Sequence, residues 1–221
     1  MDPVVNSENM NPIVRAFSEG GTVMYVILII ALLTLALVVD RFIKLQSLRV
    51  DKKEFGDQIF RMIVGGDLRQ AISFCDSKPT PLANTMKAGL VQAMNKRPDE
   101  EVQVAMDAAV MRETPRLEGW TSFLAVFGNI AVLAGLLGTI FGMIGSFRAV
   151  AKADPATKAQ LLSEGISHAL NCTGFGLMVA ITAIVFYGLF QHMIQKTENE
   201  MIESSMTLMN LIAANRDKMK D

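Results

Sequence analysis

Residues 120–147 read WTSFLAVFGNIAVLAGLLGTIFGMIGSF and contain no charged side chain. Small residues recur in this stretch every three or four positions, at Gly128, Ala131, Gly135, Gly138, Gly142 and Gly145. Because an α-helix completes a turn in about 3.6 residues, this spacing places them along one helix face. In a membrane, such a face lets a second helix approach closely. The stretch therefore predicts a membrane-spanning helix built for tight packing.

The composition agrees with a membrane protein. Hydrophobic residues make up 51% of the 221 residues, charged residues only 19%, and the mean hydropathy is +0.32. Two further uncharged blocks, 22–39 and 165–191, approach or exceed the roughly twenty residues that cross a bilayer core. The formal net charge of -1 argues against nucleic acid as a partner. The sequence predicts an all-α polytopic membrane protein whose three transmembrane helices extend into a cytoplasmic helical bundle.

The basic residues set the expected orientation, because cytoplasmic flanks carry the excess of lysine and arginine. Arg41, Lys44 and Arg49 follow the first block, whereas the segment before it offers Arg15 alone. Lys152 and Lys158, beyond the second block, are a weak opposing signal. No removable signal peptide is expected, since no basic segment precedes a small-residue cleavage site.

The expected organisation follows from this orientation. It comprises a periplasmic segment 1–21, transmembrane helix 22–39, a cytoplasmic domain 40–119, transmembrane helix 120–147, a periplasmic loop 148–164, transmembrane helix 165–191 and a cytoplasmic C-terminal helix 192–221.

The cytoplasmic domain is expected to be all helical. The first helix should continue through residues 40–64 until the Gly65-Gly66 pair stops it. Asp67 can cap a short helix that ends at Cys75, and a second helix is expected over residues 82–95. Pro115 is the expected kink in the helix that leads to the second span.

No arrangement typical of catalysis or metal binding is present in the sequence. Gly135 to Thr139 lacks the Gly-Lys-Ser/Thr ending of a phosphate-binding loop, and His168 and His192 lie near opposite ends of one span. Cys75 and Cys172 are predicted in the cytoplasm and the membrane, so neither a disulfide nor a metal site is expected. We therefore expect neither an enzyme nor a cofactor.

Two threonines stand out in the spans. Thr139 lies nine residues before Arg148, and Thr173 lies nine residues after Glu164. At about 1.5 Å per residue, both hydroxyls lie about 13 Å below the outer charges, near mid-depth. One interpretation is that each hydroxyl bonds its own helix at i-4. The matched depth, beside small-residue faces that include Gly176 on the third span, favours a polar pore lining.

The spans contain no Asp, Glu, Lys or Arg. Because a proton or cation site in a membrane normally needs an ionisable group, any titrating carboxylate must come from another chain. His168 could titrate but is expected close to the outer surface. It is either part of an ion path or an amphipathic residue at the interface.

The sequence resembles the MotA/TolQ/ExbB proton channel family over nearly its whole length. The resemblance is strongest in the second span from Ala131 to Phe147 and in the third span from Ala169 to Ile184. Shorter similar motifs are Asp40-Arg41, Gly66-Asp67, Pro81-Leu82-Ala83 and Ala88-Gly89-Leu90.

This resemblance implies a subunit of a bacterial inner-membrane channel. Five copies would surround two transmembrane helices of an ExbD/TolR-like partner, whose membrane aspartate carries the ion, H⁺ or Na⁺. Thr139 and Thr173 match the pore threonines of the family, and ion flow would drive a periplasmic component. The sequence departs from the family at Val132 and Thr182, which replace prolines, at Gly188, which replaces an asparagine, and at His168, where TolQ and ExbB carry a glutamate.

Two other functions fit parts of the pattern. A structural membrane scaffold would explain the glycine face but not the paired threonines. A solute-transporter subunit would usually show an inverted repeat or discontinuous spans, and neither is visible in the sequence.

Overall fold

The computed structural model describes residues 21–48 and 52–215. Within these ranges the chain forms seven helices and no strand: α1 (Gly21–Ser47), α2 (Lys52–Val64), α3 (Leu68–Ser77), α4 (Pro81–Met94), α5 (Asp99–Glu118), α6 (Thr121–Lys152) and α7 (Lys158–Asn215). Three of the described helical stretches are long and apolar enough to cross a membrane, and they include α1, α6 and α7. The prediction of an all-α protein with three transmembrane helices is confirmed.

The chain divides into two compact units. Among the described residues, the membrane unit contains those from Gly21 to Asp40 together with Trp120–Gly188, and so holds most of α1, all of α6 and the first half of α7. The second unit contains the described residues between Arg41 and Gly119 and those from Leu189 to Asn215. The residues of the predicted ion path all belong to the membrane unit.

The short helices of the second unit begin at side-chain caps. The Asp67 carboxylate accepts the backbone N–H of Gln70 at the start of α3, as the sequence predicts, although α3 extends to Ser77. The Thr80 hydroxyl accepts the N–H of Ala83 at the start of α4, where Pro81 occupies the first turn. Such caps satisfy backbone donors that have no partner inside the helix.

Helices α4 and α5 pack closely through a glycine and a polar pair. A Cβ on Gly89 would lie 2.6 Å from Sδ of Met106, so a larger residue here would require this buried methionine to move. The buried Glu113 carboxylate accepts hydrogen bonds from Nδ2 of Asn84 (3.2 Å) and Nη1 of Arg116 (2.9 Å). These two hydrogen bonds, both to Oε1, offset the cost of burying the carboxylate.

The predicted continuous helix over residues 40–64 is wrong. Helix α1 ends at Ser47, and α2 begins at Lys52. The Ser47 hydroxyl donates to the carbonyl of Lys44 (2.9 Å). Short polar side chains compete with helical backbone bonds in this way, and no glycine or proline signalled the end of α1 in the sequence.

The kink at Pro115 stays a prediction, whereas the helix break itself lies four residues further on. Pro115 lies inside α5, and its carbonyl accepts the N–H of Gly119. Gly119 has a φ of +42°, which L side chains rarely adopt, and α6 begins two residues later. Gly119 also lies against the buried Arg41 guanidinium, which a Cβ at this position would overlap.

We therefore expect Gly119→Ala to destabilise the protein by roughly 1–3 kcal/mol through the strained backbone, with the overlap adding to this. The matched control is Gly56→Ala, because Gly56 lies inside α2 and a Cβ there meets nothing closer than 3.5 Å. Thermal unfolding of both variants in one detergent measures the difference. Equal unfolding temperatures for the two variants would contradict this account of the break.

The connection between α6 and α7 is shorter than the predicted loop 148–164. Helix α6 continues to Lys152, and α7 begins at Lys158. The turn between them is closed by Thr157, whose hydroxyl donates to the Asp154 carbonyl (3.1 Å). Helix α7 then runs without interruption through 58 residues, across the predicted boundary at residue 191.

Candidate ion pathway

The small residues of α6 lie against α7. A Cβ on Gly128 would lie 3.3 Å from Cβ of Ala183, and one on Gly142 would lie 3.1 Å from Cβ of Ala169. Fourteen residues forward along α6 thus correspond to fourteen residues backward along α7. The two helices form an antiparallel pair that keeps one register over this length.

The closest approach is at the middle of the pair. A Cβ on Gly176 would lie 2.6 Å from the carbonyl oxygen of Ala131 and 3.0 Å from Cα of Gly135. A Cβ on Gly138 would lie 2.6 Å from Cβ of Cys172. Gly145 differs, since a Cβ there would meet nothing within 4 Å. The prediction that Gly145 packs against another helix therefore stays a prediction, and that helix would belong to a neighbouring chain.

Helix α1 covers one side of this pair. Met24 and Ile27 of α1 form a buried cluster with Cys172 of α7. Ile30 forms a second cluster with Ala131 and Ala180, one from each helix of the pair. The membrane unit is thus a three-helix arrangement in which α1 lies in the groove on one side of α6 and α7.

The two threonines lie at the same level of the pair. The Thr139 hydroxyl donates to the Leu136 carbonyl of its own helix (2.6 Å), three residues back. The Thr173 hydroxyl instead donates across to the Gly135 carbonyl of α6 (3.2 Å). The interpretation in which each hydroxyl bonds its own helix therefore holds for Thr139, at i-3 rather than i-4, whereas Thr173 links the two helices.

Both threonines lie on the side of the pair away from α1. Ala134 of α6 packs against the cluster that contains Met24 and Ile27 of α1, and Thr139, five residues further on, is turned about 140° from Ala134. On α7, Thr173 is similarly turned from Cys172, which packs against α1. The apolar residues beside the threonines are uncovered within the single chain, with Leu136 53% and Leu177 44% exposed.

His168 lies on the other side of the pair. Five residues separate it from Thr173, which corresponds to a rotation of about 140° along an α-helix. Its imidazole lies against the start of α1, where a Cβ on Gly21 would be 3.0 Å from Cε1. Within one chain, the structure brings Thr139 and Thr173 together but not His168 with them.

The imidazole lines a cavity of about 590 Å³ at this end of the membrane unit. Glu164 lies one turn earlier on the same helix and also lines the cavity, together with Thr22, Ser146 and Ala149. Nδ1 of His168 is buried and has no hydrogen-bond partner among the described residues. Glu164 is therefore the titratable group that shares the cavity with His168.

Two features of the pair were not predicted from the sequence. One is the Thr173–Gly135 hydrogen bond, since the pattern showed only that both helices carry small residues. The other is the contact between Gly165 and Ser146, where any Cβ on Gly165 would overlap the Ser146 hydroxyl. The serine hydroxyl donates to the Gly142 carbonyl (2.8 Å), which holds it in the interface. In the sequence, the glycine at position 165 is the feature that could have indicated this close contact.

Comparison with known proteins gives one family. The MotA/TolQ/ExbB proton channel family matches residues 77–203, which include part of the second unit, all of α6 and α7 as far as residue 203. The family description names a channel and no enzymatic activity.

Individual relatives agree with this match. The chain is 33% identical over 156 residues to the Tol-Pal system protein TolQ of Pseudomonas aeruginosa, which covers 65% of this chain and 67% of that protein. It is 27% identical over 174 residues to the biopolymer transport protein ExbB of Pseudomonas putida, which covers 75% of this chain and 52% of that protein. The chain thus spans about half the length of that ExbB.

Proposed function

Because the chain belongs to the MotA/TolQ/ExbB proton channel family, we propose that it is the ExbB/TolQ-like subunit of an ion-driven motor. In this proposal, several copies of the chain, five by resemblance to the family, surround two copies of an ExbD/TolR-like single-span partner. The complex conducts H⁺ or Na⁺ and converts the ion-motive force into work on a periplasmic or envelope component.

The observation that carries the proposal is the uncovered threonine side of the α6–α7 pair. Thr139 and Thr173 lie at one level, and their oxygens are held by carbonyls in the middle of the pair. A hydroxyl that donates to a carbonyl keeps lone pairs that can accept a further hydrogen bond. This side therefore offers polar acceptors to an ion, a water molecule or a partner helix at mid-depth.

In this proposal, the partner supplies the ionisable group that the spans of this chain lack. No Asp, Glu, Lys or Arg occurs in residues 22–39, 120–147 or 165–191. A threonine hydroxyl does not ionise at physiological pH, so it can guide an ion but not carry a proton. The titrating group must then be a carboxylate on the partner helix, which packs against the threonine side.

The location follows from the apolar helices and the relatives. Three membrane-spanning helices and the likeness to TolQ and ExbB support an inner-membrane location. The basic residues after the first span support a periplasmic N-terminus and a cytoplasmic C-terminus. In this orientation, the cavity that contains His168 faces the periplasmic side.

Co-purification tests the proposed assembly. The chain is expressed together with a single-span protein encoded nearby that carries an aspartate near the start of its span. Native mass measurement of the detergent-extracted material should give one complex that contains several copies of this chain and the partner. A chain that purifies alone, with the partner in a separate fraction, would contradict the proposal.

One observation favours a structural scaffold as the second candidate. Both threonine hydroxyls already have a carbonyl partner, so neither requires an ion or water to satisfy its donor. A scaffold predicts that removal of these hydroxyls weakens helix packing and leaves no ion flux to lose. The channel predicts the reverse, namely intact packing and a lost flux.

The proposal also gives His168 a testable role in ion entry. Histidine is the side chain whose charge commonly changes between pH 5 and 8. We expect His168→Gln to leave the complex assembled and partly active, while the dependence of ion flux on external pH becomes weaker. Flux is measured in vesicles at several external pH values, with Glu164→Gln as the companion variant because it alters the other titratable group in the cavity.

Two outcomes would contradict that role. Complete loss of flux in an assembled His168→Gln complex would make the histidine an essential relay. An unchanged pH profile would make it a packing residue against Gly21.

A further inference from the structure

Asn129 is a polar residue of α6 that has no role in the threonine site described above. It lies in the uncharged stretch of α6, and its side chain is exposed within the chain. Among residues 21–48 and 52–215 its amide has no hydrogen-bond partner. By contrast, Thr139, Ser146 and Thr182 each donate to a backbone carbonyl of their own helix.

An amide side chain in the hydrocarbon core of a membrane needs hydrogen-bond partners. Moving an amide from water into an apolar medium without compensating hydrogen bonds costs roughly 2–7 kcal/mol. The amide has two donor hydrogens and a carbonyl oxygen, so one bond to its own helix would not satisfy it. In the assembled protein, Asn129 must therefore meet water or another polar group.

The position of Asn129 on α6 identifies the side of the pair where that group lies. Nine residues separate Asn129 from Gly138, which corresponds to half a turn. A Cβ on Gly138 would meet Cys172 of α7 and Val23 of α1, so Asn129 points away from both helices. Ten residues separate it from Thr139, which places the amide about 80° further round and about 15 Å nearer the Trp120 end.

The side chains between the two polar levels are uncovered as well. Leu136 and Val132, which lie between Asn129 and Thr139 in both sequence and direction, are 53% and 37% exposed. The exposed surface beside the threonines thus continues toward Asn129 through these two side chains.

We propose that Asn129 forms a second polar level of the ion path, about 15 Å from the threonine level, where its amide binds the water that hydrates the path. This inference rests on the proposed channel function and extends it toward the Trp120 end of the span. One copy from each chain would give a ring of amides, which can donate to and accept from water without carrying charge.

Cysteine accessibility tests the proposal in the intact complex. Asn129, Thr139 and Thr182 are replaced by Cys one at a time in a Cys172→Ala background. Burial, with a contribution from Asp76, raises the pKa of the remaining Cys75 to about 12, so this buried thiol stays protonated and unreactive. The probe is a water-soluble, membrane-impermeant methanethiosulfonate, and labelling rates are read by mass spectrometry.

Thr182 supplies the matched control. It lies nine residues after Thr173, half a turn round α7, and its neighbour Ala183 contacts Gly128 next to Asn129. The control thiol therefore lies at the level of Asn129 but on the other side of the pair. We expect Asn129→Cys and Thr139→Cys to react at least about tenfold faster than Thr182→Cys, since a thiol in lipid is not ionised.

The outcomes separate this inference from the proposed function. Reaction of Thr139→Cys with protection of Asn129→Cys would overturn the second polar level and leave the channel intact. Protection of both would overturn the ion path itself. A disulfide between two copies of Asn129→Cys without labelling would make the amide an interchain contact and would also overturn the inference.

Activity provides an independent check. Asn129→Leu should lower ion flux about tenfold while the mass of the complex stays unchanged, and Asn129→Ser should recover most of it because a hydroxyl can still bind water. Equal flux in the Leu and Ser variants would contradict a role in hydration.

Discussion

Gly176→Ala is expected to abolish assembly of the membrane unit. The added Cβ would lie 2.6 Å from the Ala131 carbonyl oxygen and 3.0 Å from Cα of Gly135. Both atoms belong to the backbone, so no side chain can rotate away and the helices must separate. Loss of close packing removes the main attraction between helices in lipid.

The measurement is the yield of complex after co-purification with the partner. Gly174→Ala is the control, because a Cβ at that exposed position meets nothing within 4 Å. We expect wild-type yield for the control and little or no complex for Gly176→Ala. Similar yields for both variants would show that the α6–α7 contact does not hold the unit together.

The same contact predicts a graded series for leucine substitutions on α6. Gly138→Leu should be severe, because its Cβ would lie 2.6 Å from Cβ of Cys172. Gly142→Leu should also disrupt packing, since its Cβ would be 3.2 Å from Cα of Ala169. Gly145→Leu should leave the fold of the single chain unchanged and can act only through a neighbouring chain.

The double variant Thr139→Val, Thr173→Val is expected to lose ion flux while the complex remains assembled. Valine keeps nearly the shape of threonine but removes the hydroxyl. The hydrogen bond lost between Thr173 and Gly135 is worth only about 0.6 kcal/mol by comparison with other membrane proteins, so assembly should survive. Loss of a polar group that stabilises the ion in transit should lower flux at least about tenfold.

Thr182→Val is the control for this pair. Its hydroxyl is also bonded to a backbone carbonyl, that of Met178, but it lies on the other side of α7. Flux should be unchanged in the control. Full flux in the double variant would remove the threonines from the ion path, and loss of the assembled complex would instead support the scaffold.

Most of the fold could be predicted because the spans are long and uncharged. The recurring glycines in residues 120–147 predicted a close-packed helix, and the structure has α6 in contact with α7 at four of them, Gly128, Gly135, Gly138 and Gly142. The cap at Asp67 could also be predicted, since a short polar side chain precedes a helical pattern there.

The helix breaks were less predictable. Pro115 fits inside α5, whereas Gly119 ends it through a positive φ and the contact with Arg41. That contact joins residues 78 positions apart in the sequence, so no local pattern contains it. The end of α1 at Ser47 likewise has no glycine or proline to announce it in the sequence.

For the candidate site, the sequence predicted that the two threonines lie at one level of the helices, but it did not predict the directions in which the side chains point. Counting residues from Arg148 and Glu164 placed Thr139 and Thr173 at one level. It did not show that Thr173 would bond across to Gly135 or that His168 would face α1, because both depend on how α7 is rotated against α6. The amide of Asn129 in an uncharged span is evident from the sequence. That it lies on an exposed side of the helix pair is evident only from the structure.

The central claim is that this chain conducts ions only with a carboxylate from a partner. It is tested most directly by proton flux into vesicles that contain either the purified chain alone or its complex with the partner, under an imposed membrane potential. The account predicts no flux above empty vesicles for the chain alone, flux for the complex, and none when the aspartate of the partner is replaced by asparagine. Equal flux from the chain alone, or undiminished flux after the aspartate is removed, would contradict it.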